Sequence, residues 1–263
     1  AANSYVRFGT ASSNNTAGTE RLRITSAGDI TLATGSDLIT TTASGSTNTR
    51  IGTDAGDSIV ASNAGLNNVL IGVNAGTALD SGDSNVAIGV NALMTEDDHA
   101  NNIAIGYEAL KVQDAGADAY NVAVGYQAGV TVSTGKQNTF VGGSCGDATN
   151  DGGFNTAIGY EALSANCGNS NVAVGYVSLQ ACTGEDNTAI GPASGLNLLS
   201  GDMNTFLGHD AGRNMTTGSK NVIVGGYDGN EGGLDIRTSS NNIVLSDGDG
   251  NPRVVVDLSL IHI

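Results

Sequence analysis

A five-residue phrase, Asn85-Val86-Ala87-Ile88-Gly89, returns along this chain at intervals too short for a globular unit. Equivalent asparagines open the phrase at Asn48, Asn68, Asn85, Asn102, Asn121, Asn138, Asn155, Asn171, Asn187, Asn204, Asn221 and Asn242, with spacings of 20, 17, 17, 19, 17, 17, 16, 16, 17, 17 and 21 residues. A repeat of that length holds one coil of backbone, which cannot bury a core alone, so the coils have to stack. The expectation is an all-β protein, a parallel β-roll or β-solenoid of about twelve short coils of 16–21 residues.

The residue types tolerated at each position say what should surround it. The first position after the asparagine is β-branched throughout, Val or Ile alternating with Thr (Val86, Ile103, Thr139, Thr156), which suits a pleated strand. The second is mostly alanine, with Phe140 and Phe206 as large exceptions and Arg50 as the only charged one. The third is aliphatic in all twelve copies, Ile88, Ile105 and Ile158 among them, and is expected to be buried. Strand side chains alternate between faces, yet both sets here are apolar, so the strand should be covered on two sides. The coil interior covers one side, and a second chain is expected to cover the other. The closing glycine, present in eleven of twelve copies with Ser246 the exception, marks a bend or close approach that a Cβ would obstruct.

Charge placement tests the same picture. Of the 36 charged residues, only Arg50 falls on the four positions after a repeat asparagine. A chain that hides a stripe has to clear it of charge, because an unpaired buried charge is costly. The remaining residues of each coil are polar and rich in Gly, Asp, Asn and Thr, as expected of a solvated arc.

With 39 glycines, two prolines and no tryptophan among 263 residues, a core must be built from Val, Ile, Leu and Ala. A net charge of −16 with only ten scattered Lys and Arg argues against nucleic acid or an anionic membrane surface as partner. No stretch reaches 18 consecutive apolar residues, so no membrane insertion is expected.

Along the chain, residues 1–45 fall outside the repeat. Glu20 to Leu32 alternates polar and apolar around Ala27-Gly28-Asp29, the pattern of a β-hairpin that serves as an N-terminal cap or belongs to a preceding module. Residues 46–229 form the solenoid body, and 230–257 a degenerate repeat and a C-terminal β-hairpin cap. Leu258-Ser259-Leu260-Ile261-His262-Ile263 matches nothing in the repeat and is similar to the translation of a sequencing adapter, so residues 258–263 are expected not to be native.

The Asn-Val-Ala-Ile-Gly phrase with a following Ala resembles the head repeats of trimeric autotransporter adhesins, the YadA-like head. The longer coils, such as Asn155-Thr156-Ala157-Ile158-Gly159-Tyr160-Glu161-Ala162-Leu163, are similar to repeats of phage tail-fibre proteins. Glu20-Arg21-Leu22-Arg23-Ile24-Thr25-Ser26-Ala27-Gly28 and the Asn-Asn-Ile-Val-Leu-Ser-Asp-Gly segment at Asn241 resemble stretches common in such fibres. The resemblance implies a left-handed homotrimer on the virion tail or, in the adhesin case, on a bacterial surface. Two-sided burial calls for a partner but does not set its number.

No catalytic, cofactor or metal site is expected. Gly142-Gly143-Ser144-Cys145-Gly146 matches the nucleophile-elbow string, but its glycines belong to the repeat and no strand-turn-helix context surrounds it. Tyr107, Tyr126, Tyr160 and Tyr176 share the position past the glycine, so two pairs should stack on successive coils, as a structural ladder or as an aromatic rail for sugars of a host surface. Asp247-Gly248-Asp249-Gly250-Asn251 is a turn with oxygen ligands but without the distal glutamate of a calcium loop. The repeat asparagines (Asn85, Asn102 and Asn155 among them) could form a side-chain ladder or tolerate a turn conformation, and Gly89, Gly106 and Gly159 close their coils. Cys145 is expected as a packed thiol, while Cys167 and Cys182, near one phase on neighbouring coils, are expected reduced though close enough to bridge. No metal or catalytic spacing links His99, His209 and His262.

These readings point to a stiff, self-assembled rod of a phage tail fibre whose variable loops meet a host-surface glycan or protein. An adhesin head is the alternative, and a polysaccharide-degrading tailspike the rival from the enzyme class, which would need a cleft of paired carboxylates.

Overall fold

The computed structural model describes residues 6–10, 19–24, 30–32, 47–59 and 65–257. The chain divides into two compact units, Ala1–Thr41 and Thr42–Ile263. In the first, β1 (Val6–Thr10), β2 (Thr19–Ile24) and β3 (Ile30–Leu32) form an antiparallel meander in which Leu22 pairs with Leu32 and Ile24 with Ile30. The Ala27-Gly28-Asp29 turn and residues 258–263 lie outside the described residues.

The second unit is a parallel β-solenoid of about eleven turns, and no helix occurs among the described residues. Its strands are three residues long: β4 (Thr49–Ile51), β5 (Val69–Ile71), β6 (Val86–Ile88), β7 (Ile103–Ile105), β8 (Val122–Val124) and β9 (Thr139–Val141). They continue with β10 (Thr156–Ile158), β11 (Val172–Val174), β12 (Thr188–Ile190), β13 (Thr205–Leu207) and β14 (Val222–Val224). Each pairs in parallel with the next at constant register, so first, second and third positions align in columns. A two-stranded excursion, β15 (Asn230–Glu231) with β16 (Leu234–Asp235), follows. Then β17 (Asn242–Ser246) rejoins the parallel sheet beside β14, and β18 (Pro252–Asp257) closes it antiparallel.

The asparagine column explains why the coils register. In every step the Oδ1 of one asparagine accepts the backbone N–H of the next, from Asn68 onto Asn48 at 2.7 Å to Asn242 onto Asn221 at 3.0 Å. Most of the Nδ2 groups reach the carbonyl of a glycine 13 or 14 residues on, as Asn155 does to Gly168 at 3.0 Å. The ladder is therefore side chain to backbone. The left-handed backbone that asparagine could have supplied falls one residue earlier, at Asn67, Ser84, Asn101 and Tyr120 among others.

The core lies inside the coil and is built by the second position. Ala87, Ala104, Ala123, Ala157, Ala173 and Ala189 are all fully buried. The third position, expected to be buried, is instead turned outward: Ile158 is 42% exposed and Leu207 46% in the single chain, while Ile88 and Ile105 are half-buried. The reason is the narrow bore of a 17-residue coil, which at most strands leaves room for a methyl group, with Leu70, Ile223 and Val244 the aliphatic exceptions, so alternation sends the uniformly larger column outward.

Where the second position is large, its own and an adjacent coil make room for it. Four coils with alanine at the second position place a buried leucine six residues later: Leu93, Leu110, Leu163 and Leu179. Phe140 has glycine at that place in its own coil, Gly146, and in the coil before, Gly129; a Cβ on either would sit 2.7 Å and 3.0 Å from the ring. Phe206 lies between Gly195 and Gly212 in the same way, and Leu70 between Gly56 and Gly76. One phenyl ring thus occupies the space of two leucines, which keeps the interior filled at constant bore. Arg50, at this position in the first coil, is half-buried and donates from Nε to the Ala55 carbonyl at 2.7 Å.

Two outcomes test these arrangements. Phe140→Ala alone should cost about 3–5 kcal/mol, the usual penalty of a large core deletion, whereas adding Gly129→Leu and Gly146→Leu should recover most of it, measured by urea denaturation. Asn155→Ala should cost about 1–3 kcal/mol for the buried Asn171 N–H left unpaired, while the half-buried Gly168 carbonyl keeps the Asn171 Nδ2 group at 3.4 Å.

Candidate functional site

The feature that the fold leaves uncompensated is the outer face of the strand ladder. First-position side chains are mostly half-buried and third-position side chains half-buried to exposed along all the coils. Eleven steps of about 4.8 Å and strands of about 10 Å give a ribbon of roughly 500 Å² in plan. Apart from the half-buried Arg50, which turns into the coil, that ribbon carries no charge. Monomeric proteins rarely expose contiguous apolar patches above a few hundred Å² without a functional reason.

Glycine fixes one edge of the ribbon. Gly159 sits at φ +139°, and a Cβ there would approach the Gly175 carbonyl oxygen to within contact-forbidden distance; Gly106 and Gly89, at +139° and +137°, meet the next coil alike. Each of these N–H groups donates to the third-position carbonyl of the preceding coil, Gly106 to Ile88 at 2.7 Å and Gly159 to Val141 at 2.8 Å. The bend so held throws the next side chain outward. This is where the tyrosines stand.

Tyr107 stacks on Tyr126 with ring centroids 5.4 Å apart and planes within 9°, and Tyr160 on Tyr176 at 6.0 Å and 14°. All four are exposed, Tyr176 by 60%. Gly143 occupies the step between the pairs, and a Cβ there would lie 3.4 Å from the Tyr160 ring. The four rings therefore form two stacked plates with a one-coil gap, each plate offering its outer faces. Polar groups border them: Gln127 donates to Glu108 at 2.9 Å, Lys111 pairs with Glu108 at 2.7 Å, and Gln180 donates to Glu161 at 2.5 Å. Glu161 also raises the Tyr160 phenol above its ordinary value by hydrogen bonding and charge. The result is a pair of flat aromatic platforms bordered by hydrogen-bonding carboxylates and amides.

The other candidates resolve differently. Ser144 lies in a turn at φ +51°, and Cys145 points into the core, where its thiol reaches the Ala157 carbonyl at 3.1 Å. The Asp247 carboxylate is engaged by the guanidinium of Arg253 and by the N–H groups of Asp249 and Asn251, which hold it below the usual range. Cys145, Cys167 and Cys182 are free and buried; Thr149 Oγ1 meets the Cys167 sulfur at 3.2 Å.

Two groupings were not legible beforehand because they assemble residues from different coils or from irregular arcs. A polar cleft of about 510 Å³ near the last coils gathers Asp210, Asp228, Glu231 and Asp249 with His209 and Arg213. Burial and the surrounding acids push the Glu231 carboxyl up. Among the described residues, one set of potential metal ligands also appears, Glu96, Asp97 and His99.

Burial raises the thiols of Cys145 and Cys182 to about 12 and that of Cys167 to about 11, against an ordinary 9.0. Unfolding frees them to ionise, so stability should fall as pH climbs from about 9 toward 11–12, by about 1.4 kcal/mol per pH unit per thiol. Thiol-reagent titration at pH 8 should find the folded chain inert and three reactive groups after denaturation. Comparison with protein-family models, curated proteins and solved structures returned no match.

Proposed function

We propose that this chain is a segment of an elongated, self-assembled fibre of the phage tail-fibre kind, a homotrimer that holds variable loops against a host surface from outside the cell. The observation that carries the reading is the outward aliphatic column. Ile158, Ile190, Leu207 and their equivalents lie on an uncharged strip that the chain's own fold leaves uncovered. A second copy is the occupant that fits, because the strip repeats at one period over its whole length and a sister chain matches that period. The number three rests on the resemblance to trimeric adhesin and fibre repeats.

In this reading the mechanism is mechanical. Continuous ladders and a paired apolar seam give stiffness, and the arcs can vary at their exposed positions, although one buried column, Leu79, Val132, Leu198 and Met215 among it, comes from them. The tyrosine plates are the recognition surface best suited to a glycan. No catalytic step is assigned. An adhesin head uses the same assembly, and the genes flanking this one separate the two.

Sedimentation equilibrium of the 263-residue chain should return three times the chain mass. Ile105→Lys with Ile158→Lys should give a folded monomer with an unchanged circular dichroism spectrum, since neither side chain enters the coil interior. A wild-type chain that sediments as a folded monomer would overturn the reading.

A further inference from the structure

One coil departs from the repeat at two core-bordering places at once. Glu96 stands in a buried column that holds Leu79 in the coil before it, Gln113 in the coil after it, and Val132, Leu198 and Met215 farther along, and its side chain is fully buried. Three residues on, His99 occupies the place that Gly82, Gly135 and Gly152 hold elsewhere. At those glycines a Cβ would strike the carbonyl of the following coil. His99 is accommodated because the following coil, Asn102 to Asn121, is two residues longer than the usual 17, and Asn102 Nδ2 turns back to the Ala100 carbonyl at 3.4 Å.

The two departures meet. His99 Nδ1 lies 2.6 Å from Glu96 Oε1 and 3.8 Å from Asp97 Oδ1. The other oxygen of the same carboxylate, Glu96 Oε2, is buried without a hydrogen-bond partner. Asp114, from the next coil, adds further negative charge near Glu96. A buried carboxylate with an unsatisfied oxygen, surrounded by more acid than its one imidazole can balance, is costly as it stands. A bound cation removes the cost.

We propose that Glu96, Asp97 and His99 hold a divalent transition-metal ion, with zinc the best match to one imidazole and two carboxylates. Their ligand atoms all lie within 4.8 Å of one another. Tetrahedral zinc at about 2.1 Å from each ligand would set them about 3.4 Å apart, and the observed 2.6 and 3.8 Å bracket that spacing. Nδ1 offers its lone pair with the ring proton on Nε2, and water completes the shell. Bound there, the ion cross-links the arc of one coil, next to the 19-residue coil from Asn102 to Asn121.

The test is calorimetric titration of the metal-stripped 263-residue chain with zinc, alongside thermal melts with zinc, calcium and magnesium. The expected result is one zinc site per chain, a Tm rise of several degrees with zinc, and a Co²⁺ derivative with the absorption of a tetrahedral nitrogen-oxygen site. Glu96→Leu with His99→Gly restores the residues of the preceding coil, Leu79 and Gly82, so it should stay folded with an unchanged or higher metal-free Tm while losing the site. His99→Gln, which keeps the side-chain volume, should weaken zinc at least tenfold. Absence of binding, or binding that survives both variants and so belongs to the acidic surface at large, would overturn the proposal.

Discussion

A buried N–H at the start of every turn has no strand partner of its own, and the asparagine side chain of the coil before it supplies one. That single contact, repeated from Asn48 to Asn242, sets the order of the whole body. It fixes the vertical step, so strands of only three residues can pair in register although each alone is far too short to be stable. The same amide ties the far side of its own coil through the glycine carbonyl 13 or 14 residues on, and so closes the loop it begins. Loss of one asparagine leaves buried groups unpaired on two coils at once.

A constant step imposes a constant bore, and the bore decides which way each column faces. Alanine fits at the strand, and the leucine six residues later fills what the methyl leaves. Phe140 and Phe206 show that the constraint is on volume and not on residue type, because each is matched by two glycines. Ser178 and Ser194 reach a comparable solution with polar atoms, their hydroxyls paired at 2.9 Å inside the wall. With the columns of Leu93 and Leu79 and their equivalents already inside, the interior has no room for a further one, and the Ile and Val of the third position are left outside as a consequence.

Much of this was legible in the residues. The period, the parallel stacking, the tyrosine pairs and the charge-free strip follow from spacing alone, because a fixed step turns sequence phase into spatial alignment. The facing of the two columns was not. Uniform aliphatic character at the third position signals cover, but it does not say whether the cover comes from the chain itself or from another copy, and alanine at the second position gives a weaker hydrophobic signal than the isoleucine it outranks in burial. The acidic cleft of Asp210, Asp228 and Glu231 was hidden for a different reason: it forms where β15 and β16 break the period, and phase carries no information there. Glu96 and His99 were visible as residues, but their pairing emerges only when each is compared with the column it interrupts.

The outward strip and the tyrosine plates border one another across the glycine bend, and this sets a condition on any assembly. A neighbour that packs on the third-position column and extends past Gly106 and Gly159 would cover the rings; one that stops at the bend leaves them as the rim of the seam. The exposure gradient favours the second arrangement. Third-position residues are half-exposed at most, already sheltered by the coils above and below, whereas Tyr126 and Tyr176 stand nearly 60% free and carry Gln127, Glu161 and Gln180 beside them. Amides and carboxylates at that edge would be stripped of water by a dry interface and are satisfied at a wet one. In the proposed assembly, the same bend that glycine makes possible therefore separates the strip offered to a sister chain from the tyrosine rail offered to a ligand.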